Sequence, residues 1–221
     1  MPSAEKSRIV VLHLTKYADH GLILHAIDSG VGRQSFLVRG IKRGNAVAAF
    51  HPLNILDVVS VVSPKSTLAQ LREWEPALPL HTLRNDLTKS SVAMFLSEVL
   101  YRSFTSGLAD PELFGWLCGA VERLEAEEGS VANFHLWFLV GYAVQLGFMP
   151  AASVEPPGLF TPDEEALFHR ILASSLSEAL AIPLSAARRQ AFSRKMLQYL
   201  SYHLGTTVDA RSLDVLHAVL T

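Results

Sequence analysis

The sequence predicts an α+β chain in which a small five-stranded β-barrel is followed by an all-helical remainder. Three observations carry that expectation. Short runs rich in β-branched residues follow one another from Arg8 to Trp74, with turn formers between them. The pattern stops at residues 75–86 (EPALPLHTLRND), where Pro76, Pro79 and the Asn85-Asp86 pair arrive together. Beyond that point the segments have helical length and 3.6-residue spacing, and strand-like runs do not return.

The expected strands are residues 8–14 (RIVVLHL), 21–27 (GLILHAI), 33–40 (RQSFLVRG), 53–62 (LNILDVVSVV) and 67–74 (TLAQLREW). Turn chemistry separates them at 17–21 (YADHG), 28–32 (DSGVG) and 63–66 (SPKS). The third connection, 41–52, is longer and carries Lys42 and Arg43. Five consecutive strands in about 70 residues fit a small closed barrel, of which the OB-fold is the commonest five-stranded form. An SH3-like barrel is the topological rival. Phe36 shares a strand face with Val38 and is assigned to the barrel interior.

The expected helices are 89–104, 111–127, 131–146, 162–175, 184–204 and 210–220. Asp110-Pro111 before Glu112, and Thr161-Pro162 before Asp163 and Glu164, each place a capping side chain and an N1 proline at a helix start. Gly205 sits where a C-terminal cap belongs. The division is therefore 1–78, an OB-fold nucleic-acid-binding domain, and 79–221, a helical domain that packs on itself and on the barrel. Residues 149–158, rich in Pro and Gly, read as an exposed loop.

With 221 residues and 49% hydrophobic composition, the chain can bury a sizeable core. The opening MPSAEKSRIVV lacks the apolar stretch of a secretory signal, so the cytoplasm is the expected compartment. Residues 134–149 (FHLWFLVGYAVQLGFM) lie in an interval, 129–154, without Lys, Arg, Asp or Glu. They are shorter than the roughly 20 residues a bilayer needs and contain His135 and Gln145, so a buried core helix is expected and no membrane association. The single cysteine, Cys118, reads as a small buried hydrophobe. None of the nine histidines forms an H-E-x-x-H pair or neighbours a cysteine. G-x-S-x-G, P-loop and dinucleotide fingerprints are missing too, and Gly30-Val31-Gly32 is a turn with no following helix. No catalytic residue, metal or cofactor is expected.

A formal net charge of −2 argues against a protein that coats nucleic acid over its whole surface. The distribution is uneven: residues 1–75 hold nine Lys and Arg against six Asp and Glu, and the remainder ten against fifteen. Attraction for phosphate should be local to the first part. The candidate DNA contacts are Lys16 and Arg33 beside turns, Arg39 ending the third strand, Lys42 and Arg43 in the next loop, and Lys65 and Arg72. Single-strand binders pair such cations with aromatic faces, here Tyr17, Phe50 and Trp74. The alternatives are an ordinary charged surface and, for Trp74, packing between barrel and helices. On the helix 184–204, Arg188, Phe192, Lys195, Tyr199 and Tyr202 fall on one face, and Met196, Leu197, Leu200 and Leu204 on another. The first face suits an acidic peptide with apolar anchors, or phosphates. Burial of Phe192 and Tyr199 in a second core layer is the competing reading.

Read in order, RIVVLHLTKYADHGLILHAID, GRQSFLVRGIKRG, HPLNILD, KSSVAMFLSEVLYR, PELFGWL, ANFHLWFLVGYAVQLGFMP and YLSYHLG followed by RSLDVLHAVL resemble the bacterial recombination-mediator family RecO over nearly the whole chain. The resemblance implies an OB-fold and a helical domain that bind single-stranded and duplex DNA and anneal complementary strands. It also implies work with RecR to load RecA onto strands coated by single-stranded-DNA-binding protein, without covalent chemistry. By position, Arg33, Arg39, Lys42 and Arg43 become implied DNA contacts. Arg188, Lys195 and Arg211 become an implied dock for the acidic C-terminal tail of the single-strand binder. Many members carry a four-cysteine zinc site; this chain has Cys118 alone, so zinc is not expected. An OB-fold adaptor that binds peptides and no DNA is the alternative, with an enzyme of unrecognised type behind it.

Overall fold

Five strands close into a barrel in a computed structural model that describes residues 3–17, 21–40, 48–62, 68–104, 109–148 and 156–221. They are β1 (Ser3–Tyr17), β2 (Gly21–Asp28), β3 (Gly32–Arg39), β4 (Ile55–Val62) and β5 (Ala69–Pro76). Their order around the barrel is β1-β2-β3-β5-β4. Every ladder is antiparallel except β3 with β5, where Phe36 pairs with Ala69 and Leu37 with Gln70. This is the OB-type barrel that the strand count predicts.

β1 is about twice as long as its apolar run suggests. Its first half pairs with β4, from Ser3↔Val62 to Val10↔Ile55, and its second half with β2, from Ile9↔Asp28 to Tyr17↔Gly21. The polar ends are strand because each finds a different neighbour for its backbone, a long-range fact that local alternation does not reveal. Between Val11 and His13 the register shifts, leaving Leu12 as a bulge residue. A bulge bends and twists its strand, which helps one strand serve two partners. Ile9, Val11, Leu24, Phe36, Val38, Leu56 and Val58 fill the interior, and Phe50 joins them. Phe36 and Val38 thus lie inside, as their shared face predicts.

Among the described residues the helices are α1 (Thr82–Asn85), α2 (Leu87–Ser103), α3 (Pro111–Ala126), α4 (Phe134–Gln145), α5 (Pro162–Ala173), α6 (Leu176–Leu180), α7 (Ala186–Leu204) and α8 (Ser212–Val219). The expected caps are present. Asp110 accepts from the Leu113 amide at 2.9 Å, Thr161 and Glu164 form a capping box, and Gly205 takes the left-handed conformation (φ 63°) after α7. The short α1 and α6 were not expected. Their ends, and that of α8, are held by side chains far away in sequence. Glu125 of α3 accepts from the amides of His81, Thr82 and Leu83, each at 2.8 Å. Glu98 of α2 accepts from the Ser212 amide at 3.0 Å, and the Asn133 amide group donates to the carbonyls of Ala179, Leu180 and Ile182.

α4 is the core helix that its composition predicts, with Phe134, Leu136, Phe138, Leu139, Val140 and Tyr142 all buried. Gly141 lets Trp116 lie against it: a Cβ there would stand 2.7 Å from the Trp116 ring. No helix among the described residues is long and apolar enough to cross a membrane. The barrel's outer wall contributes Val10, Leu12, Ile27 and Ile55 to the same hydrophobic cluster as Val92, Leu96, Val99 and Leu100 of α2. A boundary near residue 78 therefore divides strands from helices without dividing this core.

His135 is sealed in that core, its ring edge-on to Phe95 and its Nδ1 without a hydrogen-bond partner. Burial and nearby Arg189 outweigh a hydrogen bond to the Ala132 carbonyl and hold its pKa down to about 3. The unfolded chain takes up that proton near the ordinary histidine value of about 6.5. Its contribution to stability is thus complete above about pH 6.5 and is lost as pH falls toward about 3. The urea midpoint of the wild type should fall between about pH 7.5 and 4.5 by more than that of His135→Gln, which cannot titrate. Equal losses would clear His135 of that role.

Candidate nucleic-acid interface

The register of β1, β2 and β3 sets out the barrel's outer face in rows. Phe36, Val38, Leu24 and Ala26 point inward, so their alternating neighbours point outward. One row is Tyr17, Gly21 and Arg39; the next is Thr15, Ile23 and Leu37; the third is His13, His25 and Ser35. The Leu12 bulge brings His13 and Thr15 onto this face, because residues before it have the opposite parity. The face is half apolar and crossed by a polar chain: Thr15 Oγ1 lies 3.2 Å from His25 Nε2, and His25 Nδ1 lies 2.8 Å from Ser35 Oγ. Burial first, then His13 and Arg33, holds His25 below the ordinary histidine pKa, so the ring bridges the two hydroxyls in its neutral form.

The first row is the open edge. Tyr17 is 44% exposed and Arg39 is exposed. Lys16, beside Tyr17 and also exposed, stands at the barrel mouth across from Leu22. Arg39 and Arg72 follow the last β3–β5 pair, Leu37↔Gln70, by two residues each along the parallel strands, past the point where the ladder ends. Arg72 is the extra residue of a bulge opposite Val59 and Ser60 and is exposed. Three ion pairs occur among the described residues, Arg8–Asp57, Arg102–Glu98 and Arg194–Asp214, and none engages Lys16, Arg39 or Arg72. Among the described residues no carboxylate forms an ion pair with them. Lys42, Arg43 and Lys65 lie outside the described residues; the first two follow directly on Arg39 and Gly40 in the chain.

Other expected contacts have different surroundings. Arg33 is half-buried, donates to the Phe104 carbonyl at 3.1 Å and lies 4.5 Å over the Tyr101 ring. It ties the barrel to α2 and does not stand free on the surface. Phe50 is not a stacking surface, because it plugs the barrel interior. Trp74 packs against Phe50 at 5.3 Å on the barrel's own core, and not between barrel and helices. Tyr17 alone of the three aromatics is exposed.

The outward aromatic face expected on α7 is corrected too. Phe192 and Tyr199 are fully buried, with Phe160 lying 5.9 and 6.0 Å from them and Phe168 5.7 Å from Tyr199. α7 packs on α4, α2 and α8, so its buried arc is wide enough to take in both of the faces that the helical spacing separates. Arg188 and Arg211 are exposed, Lys195 is partly so, and Tyr202 is 56% exposed.

The residues that sequence reasoning missed are His13, His25, Ser35 and Tyr101. Tyr101, from α2, meets both histidine rings, at 5.5 and 5.2 Å, where the barrel face runs under the helices. Alternation in β2 and β3 marks His25 and Ser35 as outward, but placing His13 beside them requires the bulge. Cys118 is partly buried, and burial pushes its thiol pKa up to about 11, which leaves it protonated and a weak metal ligand. Among the described residues no three His, Cys, Asp or Glu side chains are grouped to hold a metal ion.

Comparison with known proteins bears on this surface. The family model described as Recombination protein O N terminal matches residues 1–79, and the one described as Recombination protein O C terminal matches residues 84–155. A DNA repair protein RecO of Flavobacterium psychrophilum is 30% identical, over 98% of this chain and 99% of the relative. Another from Phocaeicola vulgatus is 32% identical over 91% of this chain and 83% of the relative, and one from Flavobacterium johnsoniae 29% identical over 98% and 99%.

Proposed function

This chain belongs to the RecO family of DNA repair proteins, and from that footing we propose that it is a non-enzymatic recombination mediator that binds single-stranded DNA along the open edge of its barrel. The observation that carries the reading is a set of exposed cations, Lys16, Arg39 and Arg72, in none of the ion pairs among the described residues, with exposed Tyr17 beside Lys16 on an OB-type barrel. Such barrels bind oligonucleotides on the face of strands two and three, with the loops after strands one and four flanking it. Lys42 and Arg43 extend the cationic set from the chain that leaves Arg39, and Lys65 from the segment before β5. Contacts to phosphate read no sequence, so duplex DNA is bound as well, through the same charges.

Two strands held by their phosphates and freed of self-repulsion can find each other, which is the physical basis for annealing. We assign to the chain the further mediator steps: work with RecR, and loading of RecA onto strands coated by single-stranded-DNA-binding protein, in the cytoplasm at the nucleoid. Arg188, Lys195 and Arg211 are the proposed dock for that protein's acidic C-terminal tail, without Phe192 and Tyr199 as anchors. No step makes or breaks a covalent bond, and none needs a cofactor.

Annealing tests the reading. Complementary oligonucleotides coated with the cognate single-strand binder should pair faster when this protein is added, and faster by less when salt is raised. Pairing at the same rate with and without the protein would contradict the proposed mediator activity.

A further inference from the structure

The outer face of β1–β3 does not end where the helices begin: it opens into a cleft of about 310 Å³ between β1 and α2. Leu12 and Met94 form its apolar lining, and His13, Tyr101 and Arg102 its polar and aromatic walls. Met94 is 37% exposed and His13 is exposed, so both stand at the mouth. The His13 and His25 rings lie nearly parallel, 14° apart with centroids at 6.2 Å, and Tyr101 closes against both. Arg33 lies over the Tyr101 ring, its Cζ 4.5 Å from the centroid. Glu98 accepts from the Ser212 amide and pairs with Arg102 through Nη2 alone at 3.4 Å, and the Arg102 side chain stays 43% exposed.

We propose that this cleft takes one unstacked base of the bound strand, with the base against the His13 and Tyr101 rings and Arg102 toward its phosphate; this rests on the DNA-binding reading above. A volume near 310 Å³ is at the lower end of small-ligand sites and suits a single flat group. Aromatic rings beside a guanidinium, continuous with a face that carries exposed cations at its far edge, are what a sequence-indifferent single-strand site requires. The strand would then run from the Arg39 row, across Ile23 and Leu37, to the domain junction. That path gives Tyr101, a helical-domain residue, a direct part in DNA binding.

The test uses the full chain, fluorescence anisotropy, labelled oligo-dT and an abasic strand of equal length with the same phosphates. Wild type should prefer oligo-dT by about tenfold, the worth of a stacked base. Met94→Trp, which fills the mouth, and His13→Ala, which removes a wall, should each lose most of that preference and keep their affinity for the abasic strand. Both sites are exposed, and a thermal melt checks that the fold is intact. A preference that survives in both variants overturns the cleft. Equal wild-type binding of the two strands also overturns it while leaving the phosphate-binding reading standing; binding of neither strand overturns that reading as well. If Met94→Trp instead loses an acidic peptide ending in an apolar residue while keeping its oligo-dT preference, the cleft belongs to a peptide and the base is excluded.

Discussion

Replacing Lys42 and Arg43 together by Glu is expected to lower affinity for an unstructured oligonucleotide at least about tenfold at roughly 0.1 M salt. The slope of log K against log salt should also become shallower by about 1.4, because each phosphate contact on a single strand contributes about 0.7. The effect should be large because of where the pair emerges. The chain reaches residue 41 from Arg39 and Gly40, both exposed, on the strand that pairs in parallel with the one carrying exposed Arg72. Two added carboxylates there would oppose the remaining cations as well as remove two contacts. Unchanged affinity at low salt would take this segment out of the site and leave Lys16, Arg39, Lys65 and Arg72 as its cations.

The second large effect is on stability. Phe192→Ala should cost roughly 3–5 kcal/mol, the usual price of truncating a buried aromatic side chain. For a chain of this size that is a fall in Tm of about 6–20 °C. Phe192 has no exposed surface and lies 5.9 Å from Phe160, so the deletion leaves a cavity among rings that other contacts hold in place. Tyr202→Ala, at a site 56% exposed on the same helix, should move stability by no more than about 0.5 kcal/mol. A stable Phe192→Ala protein that has lost an acidic peptide would restore Phe192 to a docking role.

The contrast between those two residues shows what was legible. Helical spacing separates an α7 face of Phe192, Tyr199 and Tyr202 from one of Met196 and Leu200, but not which faces meet neighbours. That depends on how many helices surround α7. Strand number and the switch to helices were legible because both are local: β-branched runs, prolines and caps such as Asp110 and Thr161 act within a few residues. The long β1, the Leu12 bulge and the remote caps from Glu98, Glu125 and Asn133 were not. Each depends on a partner tens of residues away, and no local pattern encodes it.

The same limit shaped the site. Arg33 and Arg39 look alike in sequence, both on β3 and of the same outward parity. Only the fold distinguishes them, by placing Tyr101 and the Phe104 carbonyl against Arg33 and leaving Arg39 exposed. Tyr101 itself sits in a helical run whose apolar spacing suggests core. Its meeting with His13 and His25 follows from the docking of α2 on the barrel.

The account depends most on a cationic barrel edge that attracts phosphate on a chain of net charge −2. Binding of the wild-type protein to a labelled, unstructured oligonucleotide across a salt series tests this most directly. The account predicts measurable affinity at low salt that falls linearly in log–log form, with a slope of about −2 or steeper from three or more phosphate contacts. No binding at low salt, or affinity indifferent to salt, would contradict it and favour a barrel that binds only peptides.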